Sequence, residues 1–194
     1  MLKQVRRLFG RAKPTRIEPP AIVEQAPEQV QVQDSFVLPF EIRPLQAADE
    51  FALGQLFRQS IEQIASKHYD AKEIAAWAAS ADDEHFLPGL RQGLTLVATL
   101  HGELAGFAQL YPASHIEMLY LSPDASGLGI ASLLYQYLED EARMAGSRTL
   151  TTASSLTAKH FFESVGFQIS EEQTVLRGDV AIKRLLMHKV LVAG

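Results

Sequence analysis

From Phe40 onward the apolar positions follow two rhythms, and together these predict the elements of the chain. Phe40 to Arg43 is a short strand. After Asp49, the residues Leu53, Leu56, Phe57, Ile61 and Ile64 recur at helical spacing. Asp70 and Glu73 form a capping-box-like pair ahead of Ile74, Trp77 and Ala78, which share one helical face. A short helical piece follows Asp82 and ends near Gly89. Leu94 to Leu100 and Leu104 to Tyr111 read as strands joined by a tight turn at His101-Gly102, and Pro112 stops the second. Ile116 to Leu121 is a further strand. It runs through Ser122-Pro123-Asp124-Ala125-Ser126-Gly127-Leu128-Gly129 into a helix marked by Ile130, Leu133, Leu134, Tyr137 and Leu138, which closes at Gly146. A Thr-rich strand from Thr149 to Ala153 follows, then a helix over about Thr157 to Val165 with Gly166 as its C-cap. Two strands, Phe167 to Leu176 and Ala181 to Leu191, meet around Arg177-Gly178-Asp179.

A strand, crossover helix and strand of this length form a right-handed βαβ unit with parallel strands. The order β-α-α-β-β-β-α-β-α-β-β is therefore read as an α/β fold, a mixed sheet flanked by helices.

Composition narrows the picture. With 194 residues, 47% of them hydrophobic, the chain can build one domain and a tail. Residues 1–35 read as a flexible leader: Lys3, Arg6, Arg7, Arg11, Lys13 and Arg16 crowd its start, and Pro14, Pro19, Pro20 and Pro27 follow. Residues 36–194 form the domain and hold 12 basic against 19 acidic side chains. That balance lacks the electrostatic footprint of a nucleic-acid binder and would attract cations. The absence of cysteine excludes disulfides, thiolate nucleophiles and Cys-ligated zinc, and the histidines lack the short spacings of a metal site, so no metal is expected. No apolar run suits a membrane span, and the basic start lacks the apolar core of a secretory signal. A cytoplasmic protein, monomer or homodimer, with no stable membrane insertion, is expected.

Gly127 and Gly129 stand between a strand and a helix, where glycine lets the backbone approach a ligand and aims unpaired N–H groups at it. A phosphate belongs there as readily as a purely conformational turn. A dinucleotide fingerprint would want a third glycine at Ser132 and an acid after the next strand, and neither is present; no Gly-Lys-Ser/Thr triplet supports a nucleotide P-loop.

Ser126-Gly127-Leu128-Gly129-Ile130-Ala131 resembles, except at its first position, the Gln/Arg-x-x-Gly-x-Gly/Ala loop of the GNAT superfamily of acetyl-CoA-dependent N-acetyltransferases. The run from Ser155 through Ala158, Phe162 and Gly166 to Phe167 is similar to that family's Asn-x-x-Ala-x-x-x-Tyr-x-x-x-Gly-Phe segment. His68-Tyr69-Asp70 through Trp77, with Glu117-Met118-Leu119, looks like its YafP-like branch. The resemblance covers residues 40 to about 190. It implies a mostly antiparallel mixed sheet with one splayed parallel pair, helices on both faces, and acetyl-CoA as cosubstrate. It further implies that main-chain groups of Leu119 and Leu121, with Tyr120 between them, pair with the pantetheine arm. Ser126, Gly127, Leu128, Gly129, Ile130, Ala131 and Ser132 would hold the pyrophosphate, and Ser155 and Phe162 would lie along the cofactor. By the same resemblance His68, Tyr69 and Trp77 wall the acceptor pocket. Two departures stand out: Ser126 replaces a long polar residue, and Phe162 replaces the tyrosine that often protonates the departing thiolate.

Acetyl transfer needs a neutral amine, so a group near the thioester must accept a proton. Strand alternation is expected to put His115, Glu117 and Leu119 on one side. Glu117 is the preferred base, its pKa expected to be raised by partial burial, with His115 in reserve. No general acid is assigned. The acceptor is a small-molecule or peptide amine, and the acidic body points weakly toward a cationic one, polyamine-like or aminoglycoside-like. A catalytically eroded acyl-CoA-binding or regulatory module is the alternative, with Ser126 and Phe162 as marks of erosion.

Overall fold

The computed structural model describes residues 40–191, and the basic leader lies outside the described residues. Seven strands form one sheet: β1 (Phe40–Pro44), β2 (Leu94–Leu100), β3 (Glu103–Leu110), β4 (His115–Leu121), β5 (Thr149–Ser154), β6 (Gln168–Arg177) and β7 (Val180–Val190). Their order across the sheet is β1-β2-β3-β4-β5-β7-β6. Every neighbouring pair is antiparallel except β4 and β5, which run parallel and are joined by the crossover helix α4 (Ile130–Met144). The mixed sheet expected from the sequence is thus the one observed.

The β2–β3 hairpin turns on His101 at φ +52° and Gly102 at φ +87°. Two successive positive φ values make a turn whose twist matches that of the strands it joins.

Helices cover both faces. On one side lie α1 (Glu50–Ile64), α2 (Ala71–Ala78) and α3 (Phe86–Leu90). α1 buries Leu53, Leu56, Phe57 and Ile61, the stripe that its spacing predicts, against Val97 and Phe107 of the sheet. α2 begins at Asp70, whose carboxylate accepts from Lys72 and Glu73 N–H while the Glu73 side chain accepts from Asp70 N–H. On the other side α4 buries Ile130, Leu134 and Leu138 against Ala108, Ile116, Leu150 and Met187. α5 (Lys159–Ser164) packs there too. It starts two residues later than its sequence suggests, because Ser155 Oγ accepts the Ala158 N–H and holds Ser155 to Ala158 in a turn.

One feature of the sheet positions the site. β4 and β5 share only two register pairs, His115 with Thr151 and Ile116 with Thr152, and then diverge. The gap that opens between them lies at the C-terminal ends of parallel strands, where open α/β sheets bind ligands.

Candidate active site

The pairing of β3 with β4 shifts between Gln109 and Leu110: Gln109 faces Met118 and Leu110 faces Ile116, so Glu117 has no partner. This is a β-bulge, and it reverses side-chain parity along β4. Ile116, Leu119 and Leu121 pack toward the α4 core, whereas Met118 and Tyr120 pack toward α1. His115 and Glu117 open on the α1 side with Met118 and Tyr120. Strand alternation had placed Leu119 beside them; the inserted residue puts it on the opposite face.

The gap between β4 and β5 continues into a cavity of about 270 Å³. Leu119, Tyr120 and Leu121 line it from β4, Ser126 and Gly127 from the turn before α4, Ala131 from the first turn of that helix, and Ser155 and Phe161 from the far side. Ser122 N–H donates to Ala105 O on β3 at 2.8 Å. Main-chain direction alternates along an antiparallel strand, so the amides of Leu119 and Leu121 turn away from β3 and toward the gap. The turn itself is built on positive φ values, +82° at Gly127 and +80° at Gly129, which is the N-cap of α4. Among the described residues, the first-turn N–H groups of Ile130, Ala131 and Ser132 find no acceptor in the chain. An extended edge of free amides leading to a helix start suits a ligand with an amide arm and a diphosphate. Leu128 is exposed at the loop tip, and the side chain of Ile130 is wholly in the core.

A second cavity of about 400 Å³ lies on the α1 side. Trp77, Tyr120 and Ser155 line both cavities, so these three form the partition where the two meet. Phe57, Trp77 and Phe86 wall it from the helices; the Phe57 ring lies 4.9 Å from Phe86 and 4.7 Å from Tyr120. Burial pushes the Tyr120 hydroxyl up, so it keeps its proton throughout the neutral range.

Glu117 is half-exposed in this cavity, with Oε2 3.4 Å from Nε2 of His115. The other ring nitrogen of His115 lies 2.7 Å from Thr151 Oγ1 on β5. The sequence suggested a raised Glu117 pKa. The structure reverses that: the His115 imidazole holds the carboxyl below its ordinary value, burial opposes this, and the charges of Arg184 and Arg177 add to the lowering. Partial burial loses here because the group is open to solvent on one side and faced by donors on the other.

The remaining expected residues divide. Tyr69 and Trp77 line the 400 Å³ cavity. The Tyr69 hydroxyl is already committed, donating to Lys183 O and accepting from Leu156 N–H, both at 2.8 Å. His68 lines neither cavity; its Nδ1 lies 3.3 Å from Oγ1 of Thr157, which borders the smaller one. Phe162, expected along the cofactor, is 3% exposed and packed against Phe161 and Phe167. The ring that faces the cavity is its neighbour Phe161. Sequence reasoning also missed Arg177 and Arg184, which line the larger cavity from the β6–β7 hairpin. Their signal was alternation: Val175 and Arg177, and Val180, Ile182 and Arg184, fall on one face when the hairpin is paired about Gly178-Asp179.

A splayed parallel pair, a bulged strand and a glycine turn at a helix start define a class, and comparison with known proteins bears on the same point. The family model described as an acetyltransferase (GNAT) domain matches residues 55–185. The chain belongs to the GNAT acetyltransferase family and is an acetyltransferase enzyme. Within that family it is similar to the N-acetyltransferase YafP of Escherichia coli (strain K12), with 32% identity over 135 residues, 70% of this chain and 85% of YafP. A GCN5-related N-acetyltransferase from Rhodopseudomonas palustris matches with a TM-score of 0.75 and 35% identity, over 78% of this chain and 95% of its own. The PaiA N-acetyltransferase of Thermoplasma acidophilum, solved in complex with coenzyme A, shares the fold at a TM-score of 0.63 and 18% identity, over 79% and 100% of the two chains. No helix among the described residues is long and apolar enough to cross a membrane.

Proposed function

We propose that this enzyme moves an acetyl group from acetyl-CoA to a primary amine of a small molecule or peptide, by direct attack in a ternary complex. The observation that carries this reading is the meeting of the two cavities at Trp77, Tyr120 and Ser155. One side presents free main-chain amides, and the other presents a carboxylate–imidazole pair.

Main-chain groups of Leu119 and Leu121 would pair with the pantetheine amides, and the turn from Ser126 to Ser132 would hold the pyrophosphate, with Ser155 beside the arm. The macrodipole of α4 favours each such negative charge by about 0.3–1 kcal/mol. When bound, acetyl-CoA supplies the acetyl group as a thioester: a nitrogen–carbon bond forms, the carbon–sulfur bond breaks, and the sulfur leaves as a thiolate that solvent protonates. Glu117 is ionised near neutrality, so it attracts the incoming ammonium and receives its proton, directly or through one water. His115 steadies that carboxylate and is the second station for the proton. Trp77 and Tyr120 fix the line of approach. Alignment and proton transfer divide the work, the latter contributing about 10²- to 10⁴-fold.

The test is release of the CoA thiol from acetyl-CoA over a panel of amines. Release that depends on an amine and falls about 10²-fold or more in Glu117→Gln supports the reading. Coenzyme binding with no release for any amine would make this a binding module.

A further inference from the structure

The acetyl-transfer reading leaves open which amine enters the 400 Å³ cavity, and the charges on its walls bear on that choice. Glu117 is the one carboxylate among the described residues that line it, whereas Arg177 and Arg184 both do. The two arginines share a face of the β6–β7 hairpin, since Arg177 pairs with Val180, Val175 with Ile182 and Gln173 with Arg184. Neither guanidinium has a carboxylate of the described residues within the 4.0 Å of an ion pair. Elsewhere the chain pairs its arginines readily, Arg43 with Asp49, Arg58 with Asp82 and Arg91 with Glu50. Arg184 is also oriented: its Nε donates to Gln173 Oε1 at 2.6 Å, which leaves the two terminal nitrogens as a fork. Such a fork matches a carboxylate with two parallel hydrogen bonds. Burial and the charge of Arg177 both disfavour the Arg184 cation, with Glu117 opposing them, so an anion held by the two arginines would relieve that cost.

The opposite wall is apolar. Phe57, Trp77, Phe86 and Tyr120 form a connected set, with Trp77 and Tyr120 edge to face at 6.4 Å between centroids. Another ring adds to such a cluster with little reorganisation. A volume near 400 Å³ accommodates a compound the size of an amino acid.

We infer that the acceptor is an amine that also carries a carboxylate and an aromatic body, as an aromatic α-amino acid does, and this rests on the acetyl-transfer reading. Arg184 and Arg177 take the carboxylate, the aromatic wall takes the ring, and Glu117 with His115 takes the amine. A polyamine or aminoglycoside would bring further positive charge against two unpaired guanidiniums. The overall acidity of the chain, which pointed toward such cations, is not the charge that the cavity presents.

The chain's single tryptophan is Trp77, so its emission reports on the cavity directly. The CoA-loaded protein is titrated with L-phenylalanine, L-phenylalaninamide and phenethylamine, which differ only at the carboxylate, and turnover of each from acetyl-CoA is followed in parallel. Phenylalanine is expected to bind about tenfold or more tightly than the other two. Arg184→Met with Arg177→Met is expected to erase that preference through KM, bringing phenylalanine to the level of phenethylamine measured in the same variant. Equal or weaker binding of phenylalanine, or a preference that survives in the double variant, overturns the inference. Turnover of phenethylamine alone overturns it too and leaves acetyl transfer standing. Selective binding of phenylalanine without turnover of any amine supports the cavity assignment and overturns acetyl transfer instead.

Discussion

His115 Nε2 and Glu117 Oε2 stand 3.4 Å apart, although a single residue separates them and that residue points into the opposite core. Ordinary alternation puts both side chains on one face of the sheet and makes each the other's polar neighbour, while the bulge at Glu117 keeps Met118 on that face and sends Leu119 to the other. The pair has a readable pH signature. Because Glu117 sits below its ordinary pKa, the acidic limb of kcat/KM is expected below the usual carboxylate range. His115→Ala removes the largest lowering cause and leaves burial, so the limb should move to higher pH. Glu117→Gln should abolish it. A limb that stays in place in both variants would exclude Glu117 from proton transfer.

Gly106 lies on β3 against the stretch of β4 that borders the gap. A Cβ built there would come within 2.6 Å of Leu121 Cδ2 and 2.9 Å of Tyr120 O, and main chain cannot yield as a side chain can. Gly106→Ala is therefore expected to displace β4, lower stability by about 1–3 kcal/mol and weaken coenzyme A binding. Gly129→Val is a contrasting case: no atom crowds its Cβ, and the cost comes from a φ of +80° that valine rarely adopts. Calorimetry with coenzyme A and thermal unfolding measure both, and normal affinity in Gly129→Val would contradict the placement of the pyrophosphate.

The Tyr69 hydroxyl joins three parts of the chain: the start of α2, the turn before α5 and strand β7. Tyr69→Phe keeps the ring on the cavity wall and leaves the part-buried Leu156 N–H without its acceptor. A loss of about 1–3 kcal/mol in denaturant unfolding is expected, with faster hydrogen exchange at Leu156. The KM for amines should change less than stability does.

Away from the site, Glu139 on α4 takes hydrogen bonds from Lys189 Nζ, Arg143 Nη2 and the Tyr135 hydroxyl. Burial alone would raise its pKa; these donors, Lys189 foremost, bring it down to about 2. A carboxyl lower in the folded state than in the unfolded chain stabilises the fold above its unfolded value, near 4.5, and that contribution fades as pH falls toward 2. Glu139→Gln should thus cost stability at pH 7, by about 1–3 kcal/mol, and cost little near pH 2. Urea midpoints at the two pH values distinguish this from a pH-independent packing defect.

Much of this molecule was legible from apolar spacing, because its elements are amphipathic and their ends are marked. The His101-Gly102 turn, the Asp70 cap and the stripe of α1 each carry a local chemical signature that folding does not override. What failed was whatever depends on registration between strands. Nothing within His115 to Leu121 announces a bulge, since the extra residue is extra only relative to β3. The Glu117 pKa failed because it is a balance: the hydrogen bond from nearby His115 lowers it foremost against a burial whose extent spacing does not fix, and the added charges of Arg184 and Arg177 lie some sixty residues away in sequence. Phe161 and Phe162 are indistinguishable as residues, and the phase of one short helix decides which of them enters the core.

The brevity of the parallel contact between β4 and β5 has a consequence for how readily a ligand is admitted. Two matched positions suffice to keep the leaves of the sheet together at one end, while helices brace them elsewhere. The wedge beyond follows from that short pairing. An extended amide-bearing arm would pair with β4 there without displacing a native strand pair, so the free energy of docking would be left for orienting the reactants.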